Sequence, residues 1–245
     1  MLRRPLLQIR LYCGKAHPTQ IFDFIPAKSS DLADIVDLCT KSFMHEEPHS
    51  KALGTKPETM RPLFEYLAAR SLHHPYSYRI HEKGTKNLIG FRLLSVGHRD
   101  HSLDVEPIPF IEPSDPSVKR LCELMMIFIC LEHGQGNIFG EILDESKQAF
   151  WKVADQSIHK VLRREITHVV PKHQRKGIAN YLLHLGLDFN QLKKEGFQGI
   201  VSEATSLANQ KLLMKHGYEC VYKPQYDLHM HDGTERVLVF FKDLR

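Results

Sequence analysis

Apolar and polar residues follow two different periods along this chain of 245 residues. Short β-branched or alternating runs predict strands, and apolar residues three or four positions apart predict helices. In chain order the pattern predicts a strand, two helices, a hairpin, a long segment with helical stretches, a strand, a helix, a strand, a helix and a closing hairpin. This order predicts a mixed α/β domain with a central sheet flanked by helices.

The pattern also sets approximate bounds for these elements. Strands are predicted over residues 20–25, 76–82, 88–96, 166–170 and 199–202, with a closing hairpin over 219–229 and 236–242. Helices are predicted over residues 30–45 (capped by Ser30), 57–72, 118–132, 146–157, 178–192 and 206–216. Residues 98–155 are longer than an ordinary connection, and we expect this insertion to shape a substrate site rather than form a second domain.

The first 19 residues differ in charge from the rest of the chain. They contain Arg3, Arg4, Arg10 and Lys15, and no acid occurs before Asp23. This charge resembles a mitochondrial presequence, although serine is absent and a proline interrupts any helix. We therefore expect residues 1–19 to be a disordered basic tail or a targeting segment, and residues 20–245 to form a single domain.

Composition narrows the class of protein. A hydrophobic fraction of 42% and a charged fraction of 25% are ordinary for a soluble domain. The net charge of +4 suits an anionic ligand but is too small to predict nucleic-acid binding. Five scattered cysteines predict reduced thiols, and no apolar run approaches the roughly 20 residues that span a bilayer. We expect a cytoplasmic monomer with no membrane or nucleic-acid partner. The mitochondrial matrix is the alternative location.

A basic loop, residues 172–177, joins the predicted strand 166–170 to the helix that follows it. Gly177 and Ala179 allow a ligand to approach the backbone closely. The first amides of a helix have no internal partner, and the helix dipole attracts anions there. Lys172, Arg175 and Lys176 add positive charge. The stretch therefore predicts a phosphate-binding site, and it lacks both the Walker and the dinucleotide glycine patterns.

This stretch resembles the acetyl-coenzyme A site of the GNAT superfamily of N-acetyltransferases. Gln174, Gly177 and Ala179 match the signature of Gln or Arg, two residues, Gly, one residue, and Gly or Ala. Gly217-Tyr218-Glu219 resembles the ending of the superfamily. The resemblance implies the acyl-coenzyme A N-acyltransferase fold and acetyl-coenzyme A as cosubstrate. An ordinary strand-to-helix turn with solvated lysines is the alternative. The cofactor-binding residues implied are Thr167, His168, Val169, Val170, Gln174, Arg175, Lys176, Gly177, Ile178, Ala179 and Ser206.

Residues 43–54 resemble the segment after the first helix of invertebrate arylalkylamine N-acetyltransferases. In that group the Glu before Pro is the proposed general base, and Glu47 occupies this position. The chemistry requires such a group, because a protonated amine cannot attack a thioester until a base removes a proton. The alternative is that Glu46 and Glu47 form a solvated acidic pair. Glu165 is a second candidate base, although it could simply pair with Arg163 or Arg164.

The chemistry also requires a general acid that reprotonates the coenzyme A thiolate. Many GNAT enzymes use a Tyr four residues before the glycine that corresponds to Gly217, but Leu213 stands there. The resemblance to the invertebrate enzymes implies a serine, and we take Ser206 as the catalytic candidate. Ser206 could instead only cap the helix after it. His168 could assist proton transfer, although a lone histidine on a strand is more often structural.

The resemblance implies an N-acetyltransferase for a small primary amine, most simply an arylalkylamine such as dopamine, tyramine, octopamine or serotonin. Other acceptors (a polyamine, an amino acid or a peptide N-terminus) and a non-catalytic acyl-coenzyme A-binding protein are the alternatives. His45-Glu46-Glu47-Pro48-His49 also fits the H-E-x-x-H zinc pattern, but its proline would interrupt the helix that this pattern needs, so no metal is predicted. Four aromatic residues of the insertion could line an amine site or belong to the core: Phe110, Phe128, Phe139 and Trp151.

Overall fold

The computed structural model describes residues 16–107 and 135–245. The strands are β1 (Phe22–Pro26), β2 (Tyr78–Glu82), β3 (Leu88–His98), β4 (Lys160–Val169), β5 (Gly199–Ala204), β6 (Glu219–Tyr222) and β7 (Leu238–Asp243). They form a seven-stranded sheet in the order β1-β2-β3-β4-β5-β7-β6. β4 and β5 are parallel, and the other neighbouring pairs are antiparallel. The predicted mixed α/β fold is confirmed.

Helices cover both faces of this sheet. They are α1 (Pro18–Ile21), α2 (Leu32–Leu38), α3 (Met44–Glu46), α4 (Pro48–Ala52), α5 (Pro57–Ser71), α6 (Gln135–Val153), α7 (Ile178–Leu182), α8 (Phe189–Lys194) and α9 (Leu207–Lys215). A π-helical turn, Cys39–Phe43, joins α2 to α3, and short 3-10 helices span Ser29–Asp31, His101–Leu103 and Pro171–His173. Within the described ranges, no helix is long and apolar enough to cross a membrane.

The two faces of the sheet have separate apolar cores. On the first face, β3 packs against α2, α5 and α6, with Leu93 and Phe64 among the buried residues. On the second face, Leu162 of β4 packs with Leu192 and Leu213 of the helices beyond it. The central strands carry buried apolar residues on both sides, since helices cover both faces of the sheet.

Two sequence predictions about helices are wrong. The helix predicted over residues 178–192 ends at Leu182, and a separate helix begins after Asp188, whose carboxylate accepts hydrogen bonds from the two amides that follow. Gly186 lies between them with φ of 66°, and a side chain there would collide with the Tyr78 hydroxyl. Ser30 does not cap α2. Instead, Asp31 accepts a hydrogen bond from the Lys28 amide.

Other predicted bounds shift by a few residues. β1 starts at Phe22 rather than residue 20, because a helical turn with a buried Pro18 precedes it. β4 begins at Lys160, well before the predicted residue 166, and α6 is longer than the predicted 146–157. The helix predicted over residues 118–132 lies outside the described residues.

β4 and β5 pair only along their first halves. Their ladder runs from Val161 opposite Gly199 to Arg164 opposite Ser202. Beyond that point β4 pairs only with β3, and β5 pairs only with β7. The two parallel strands therefore diverge, and we call the opening between them the β4–β5 wedge. At the start of the wedge Leu94 is opposite Arg164 while Leu93 is opposite Ile166, so Glu165 is the extra residue of a β-bulge.

Candidate active site

The main chain of β4 offers free hydrogen-bonding groups to the β4–β5 wedge. The Val170 amide donates to the Ile89 carbonyl of β3 at 2.9 Å. Since direction alternates along an antiparallel ladder, the main-chain groups of Thr167 and Val169 point away from β3, into the wedge. The Val169 carbonyl accepts a hydrogen bond from the Gln174 side chain at 3.0 Å, as this direction requires. An extended ligand with amide groups could pair here in the manner of a strand.

The basic loop follows directly after this free edge. Arg175 has φ of 60°, a left-handed conformation that is uncommon outside glycine, and Gly177 has φ of 82°. Within residues 16–107 and 135–245, no hydrogen bond engages the amides of Arg175, Lys176 or Gly177. Consecutive free amides on a backbone that alternates in hand form a concave anion site. The loop therefore has the backbone geometry that a phosphate group requires, at the end of the wedge.

The cations of the loop are held by neighbouring side chains. The Lys176 ammonium lies 3.2 Å from Nδ1 of His173, and Nε2 of His173 lies 3.2 Å from the Glu82 carboxylate. Lys172 is exposed, 3.9 Å from the same carboxylate. Burial and the neighbouring Lys176 lower the pKa of His173, against the opposing effect of Glu82. An uncharged His173 leaves the lysines and Arg175 as the positive charges near the free amides.

Glu47 is buried, not solvated. Helix α3 ends at Glu46, and Glu47 has an extended backbone that caps α4, with Pro48 at the first helical position. Its carboxylate accepts hydrogen bonds from the amides of His49 at 3.1 Å and Ser50 at 2.5 Å. Burial raises the pKa of Glu47, but the donors on His49 and Ser50 outweigh this effect and hold the pKa below its ordinary value. The side chain is therefore an anion with defined orientation.

The interruption of the helix at Glu47 also argues against the H-E-x-x-H zinc interpretation. His45 and His49 belong to two different helices, so they do not share the helix face that H-E-x-x-H requires. In the part of the chain that the structure describes, no group of three or more metal-type ligands converges.

His49 and Tyr226 continue the hydrogen-bond network that begins at Glu47. The sequence did not single out either one as a site residue. Nδ1 of His49 lies 3.3 Å from a Glu47 carboxylate oxygen, and Nε2 lies 2.7 Å from the Tyr226 hydroxyl. The Phe139 ring stacks on His49, with centroids 5.4 Å apart and planes 13° apart. In the sequence, the pattern over residues 45–49 indicates His49 only as a possible zinc ligand. No sequence signal links it to Tyr226, which is 177 positions away.

The carboxylate lies close to the β4 side of the wedge. The Glu47 amide donates to the Phe43 carbonyl, and the Phe43 ring contacts the His168 ring with centroids 5.6 Å apart. The Ser42 hydroxyl lies 2.8 Å from Nε2 of His168 on β4. The π-helical turn thus connects Glu47 to β4 through Phe43, whose carbonyl holds the Glu47 amide and whose ring contacts His168.

Tyr226 connects the same cluster to the opposite side of the wedge. Its hydroxyl accepts a hydrogen bond from the Val237 amide, immediately before β7. The next residue, Leu238, pairs with Ala204 at the end of β5. Glu47, His49 and Tyr226 therefore form one hydrogen-bonded cluster, connected to β4 through the Phe43 turn and to the end of β5 through Val237. We call this region the wedge mouth.

The second candidate base, Glu165, has a different environment. Its carboxylate accepts hydrogen bonds from Ser95 at 2.6 Å and from Lys147 at 2.8 Å, and its side chain is 2% exposed. Burial by itself raises the pKa of Glu165. The positive charges of Lys147 and Arg163 have the larger, opposite effect and lower the pKa to about 2. Arg163 itself pairs with Glu203 on β5. Glu165 is thus held as a permanent anion in an ion pair, which makes it a poor proton acceptor.

Ser206 caps α9, as one of the two sequence interpretations expects. Its hydroxyl accepts a hydrogen bond from the Asn209 amide at 3.4 Å. Ser206 follows β5 directly and is partly exposed, so it also lies near the mouth of the wedge. Leu213, which replaces the usual tyrosine, is fully buried. A catalytic role for Ser206 stays a prediction.

The insertion supplies helix α6 to this region. With α5 and the segment after β3, α6 lines an open cleft of about 470 Å³ that includes Asp104, Lys147 and Trp151. Phe139 and Trp151 are buried, Phe139 against His49 and Trp151 against Phe150. Phe110 and Phe128 lie outside the described residues.

Burial of His168 makes stability depend on pH. Burial lowers its pKa to about 4, from an ordinary 6.5, so the folded chain favours the neutral ring. The unfolded chain binds the proton more readily between these values. The free energy of unfolding should therefore be fully retained above pH 6.5 and decline as the pH falls from 6.5 to 4.

Denaturant titrations of His168→Gln over this pH range should show a shallower decline than the parent protein. His73→Gln, at an exposed histidine, serves as the control and should leave the decline unchanged. Equal declines in all three proteins would contradict a neutral buried His168.

Comparison with known proteins finds similar folds among solved structures. No protein-family model matches the sequence, and a comparison with curated proteins finds no match. Among solved structures, arylalkylamine N-acetyltransferase 2 from Aedes aegypti is similar, with a TM-score of 0.65, 17% identity, and coverage of 91% of this chain and 99% of that one. The polyamine N-acetyltransferase of Drosophila melanogaster gives a TM-score of 0.66 at 12% identity and the same coverage.

The C-terminal condensation domain of Ebony, solved with β-alanyl-dopamine, is also similar. It gives a TM-score of 0.58 at 16% identity, over 91% of this chain and 98% of that domain. The resemblance found in the basic loop is thus confirmed at the level of the fold. The chain has the acyl-coenzyme A N-acyltransferase fold of the GNAT superfamily.

Proposed function

We propose that this protein transfers the acetyl group of acetyl-coenzyme A to a small primary amine. The observation that carries the proposal is the β4–β5 wedge, whose free strand edge leads directly into the free amides of the basic loop. The first feature suits the amides of a pantetheine arm, and the second suits a pyrophosphate. The buried anion Glu47 belongs to the hydrogen-bonded cluster at the wedge mouth, where an acceptor amine would meet a thioester.

Thr167 and Val169 would hold pantetheine through main-chain groups, and Arg175, Lys176 and Gly177 would hold the pyrophosphate. The main-chain groups of His168 and Val170 already pair with β3. These two residues would therefore hold the strand in place and would not bind pantetheine through their own main chain. Gln174 would act through Val169, and Ile178 and Ala179 would complete the start of α7.

The reaction would be direct transfer within a ternary complex. The amine nitrogen attacks the thioester carbon, the carbon–sulfur bond breaks, and coenzyme A leaves as a thiolate. The negative oxygen that develops would accept a hydrogen bond from a β4 amide that faces the wedge. The Glu47 site promotes removal of the amine proton, and Ser206 is the candidate donor to the thiolate.

An arylalkylamine is the proposed acceptor. Residues 43–54 support it, since the segment that resembles the invertebrate amine acetyltransferases forms the π-helical turn, α3 and α4 around Glu47. Aromatic rings lie on that cluster, with Phe139 stacked on His49. We further propose a cytoplasmic monomer. The free thiols of Cys39 and Cys220 support the reducing compartment.

A thiol-release assay with acetyl-coenzyme A tests the proposal. We expect turnover with dopamine, tyramine, octopamine or serotonin. Turnover only with spermidine, agmatine, glycine or a short peptide would preserve the reaction and overturn the acceptor class. No turnover with any of them, together with calorimetric binding of coenzyme A, would support the non-catalytic alternative.

A further inference from the structure

A carboxylate, an imidazole and a phenol form a continuous chain at the wedge mouth. The Glu47 carboxylate lies 3.3 Å from Nδ1 of His49, and Nε2 of His49 lies 2.7 Å from the Tyr226 hydroxyl. The three residues come from the start of α4 and from the segment between β6 and β7. The α4 cap fixes Glu47, and the stacked Phe139 ring fixes the plane of His49.

The hydrogen bonds around Tyr226 assign the protons in this chain. The Tyr226 oxygen accepts from the Val237 amide, so its own proton is available to Nε2 of His49. A neutral His49 then carries its proton on Nδ1 and donates it to Glu47. This arrangement leaves every member of the chain with a partner.

Accessibility differs along the chain. Glu47 is 2% exposed and His49 is 0% exposed, whereas Tyr226 is partly exposed. Both Glu47 oxygens already accept hydrogen bonds. The phenol is therefore the member that an amine can reach. Charged groups that act on it are Arg236, Glu145 and Glu47 itself.

We propose that Tyr226, His49 and Glu47 form a proton relay in which Tyr226 contacts the amine, His49 stores the proton and Glu47 positions and balances His49. This inference rests on the proposed function. One N–H bond of the ammonium breaks as a bond forms to the Tyr226 oxygen, while the phenol proton moves to Nε2 of His49. The free amine then attacks the thioester, and its second proton balances the one that Ser206 gives to the thiolate. The stored proton leaves through Tyr226 to water.

The charges favour this direction of transfer. Burying a charge is costly unless an opposite charge lies next to it. The Glu47 carboxylate lies 3.3 Å from Nδ1 of His49, so it supplies the opposite charge for a proton held on that ring.

The test compares Tyr226→Phe with Tyr222→Phe. Both remove one hydroxyl; that of Tyr222 binds Glu145 and lies outside the relay. We expect Tyr226→Phe to lower kcat at pH 7 about tenfold to a hundredfold, with the KM for acetyl-coenzyme A unchanged. The loss should diminish near pH 10, where the amine is already deprotonated. Tyr222→Phe should behave like the parent protein at every pH.

His49→Gln distinguishes proton storage from structural support. Its amide can still hydrogen-bond to Tyr226 but cannot store a proton, so it should show the same pH-dependent loss. A Tyr226→Phe enzyme with an unchanged pH profile would overturn the relay and leave the proposed function intact.

A readout without turnover separates the two proposals further. Nitrogen-15 NMR of labelled histidine should show the Nδ1 of His49 carrying a proton toward Glu47, with the Nε2 signal shifted by Tyr226→Phe. A proton on Nε2 in the parent protein would overturn the relay even in an active enzyme. Failure of the parent protein to acetylate any amine would instead overturn the proposed function, and the relay with it.

Discussion

Glu47→Gln should lower kcat by about a hundredfold or more at neutral pH, in the range typical of a lost acid–base group. Glutamine preserves the size of the side chain and one oxygen that accepts the backbone amides of α4. It removes the negative charge that faces His49. A proton on His49 then has no buried counter-charge. The pH dependence of kcat, measured with a saturating amine, is the direct measurement.

Glu46→Gln is the matched control, because Glu46 is exposed and adjacent in sequence. It should retain parent activity. The loss of the Glu47 cap should cost about 1 kcal/mol of stability, so thermal unfolding must confirm that the variant is folded during the assay. A folded Glu47→Gln enzyme with parent kcat would disprove any role for Glu47 in proton removal.

Glu165→Ala should reduce the free energy of unfolding by about 3–5 kcal/mol, the cost typical of breaking a buried ion pair from one side. Lys147 would lose its carboxylate partner at 2.8 Å, and Ser95 would lose its acceptor at 2.6 Å. Urea denaturation gives the measurement. The double variant Glu165→Leu with Lys147→Met should recover most of the loss, because no charge is then left unpaired.

Glu65→Ala provides the comparison at the surface. Its partly exposed pair with Arg61 should contribute about 1 kcal/mol at most. A Glu165→Ala loss no larger than that of Glu65→Ala would show that Lys147 finds another partner or water. Since the folded pKa of Glu165 is about 2, the contribution of this pair is fully present above pH 4.5 and declines as the pH falls toward 2.

Local patterns explain why much of the fold could be predicted. The hairpin of β2 and β3, helix α5 and the Ser206 cap each depend on residues close together in the chain. The break after Leu182 could not be predicted, because the apolar period continues through residue 192. It depends on Gly186 lying against Tyr78, a contact made only in the folded state.

The candidate site, like the fold, could be predicted only where short local motifs mark it. The basic loop and Glu47 belong to short motifs, so the sequence alone is enough to propose them as site residues. The bulge at Glu165 depends on the register between β3 and β4, which no residue type specifies. Tyr226 joins the site only because β7 lies beside β5, so that the Val237 amide meets the phenol.

The divergence of β4 from β5 has a consequence for how this protein relates to others. A ligand-binding edge made of peptide groups depends on strand direction and register, and only weakly on which side chains the strand carries. Such an edge can survive extensive replacement of the residues around it. Chains that share only 12–17% identity with this one can therefore retain the same fold and main-chain arrangement, while the surrounding side chains differ.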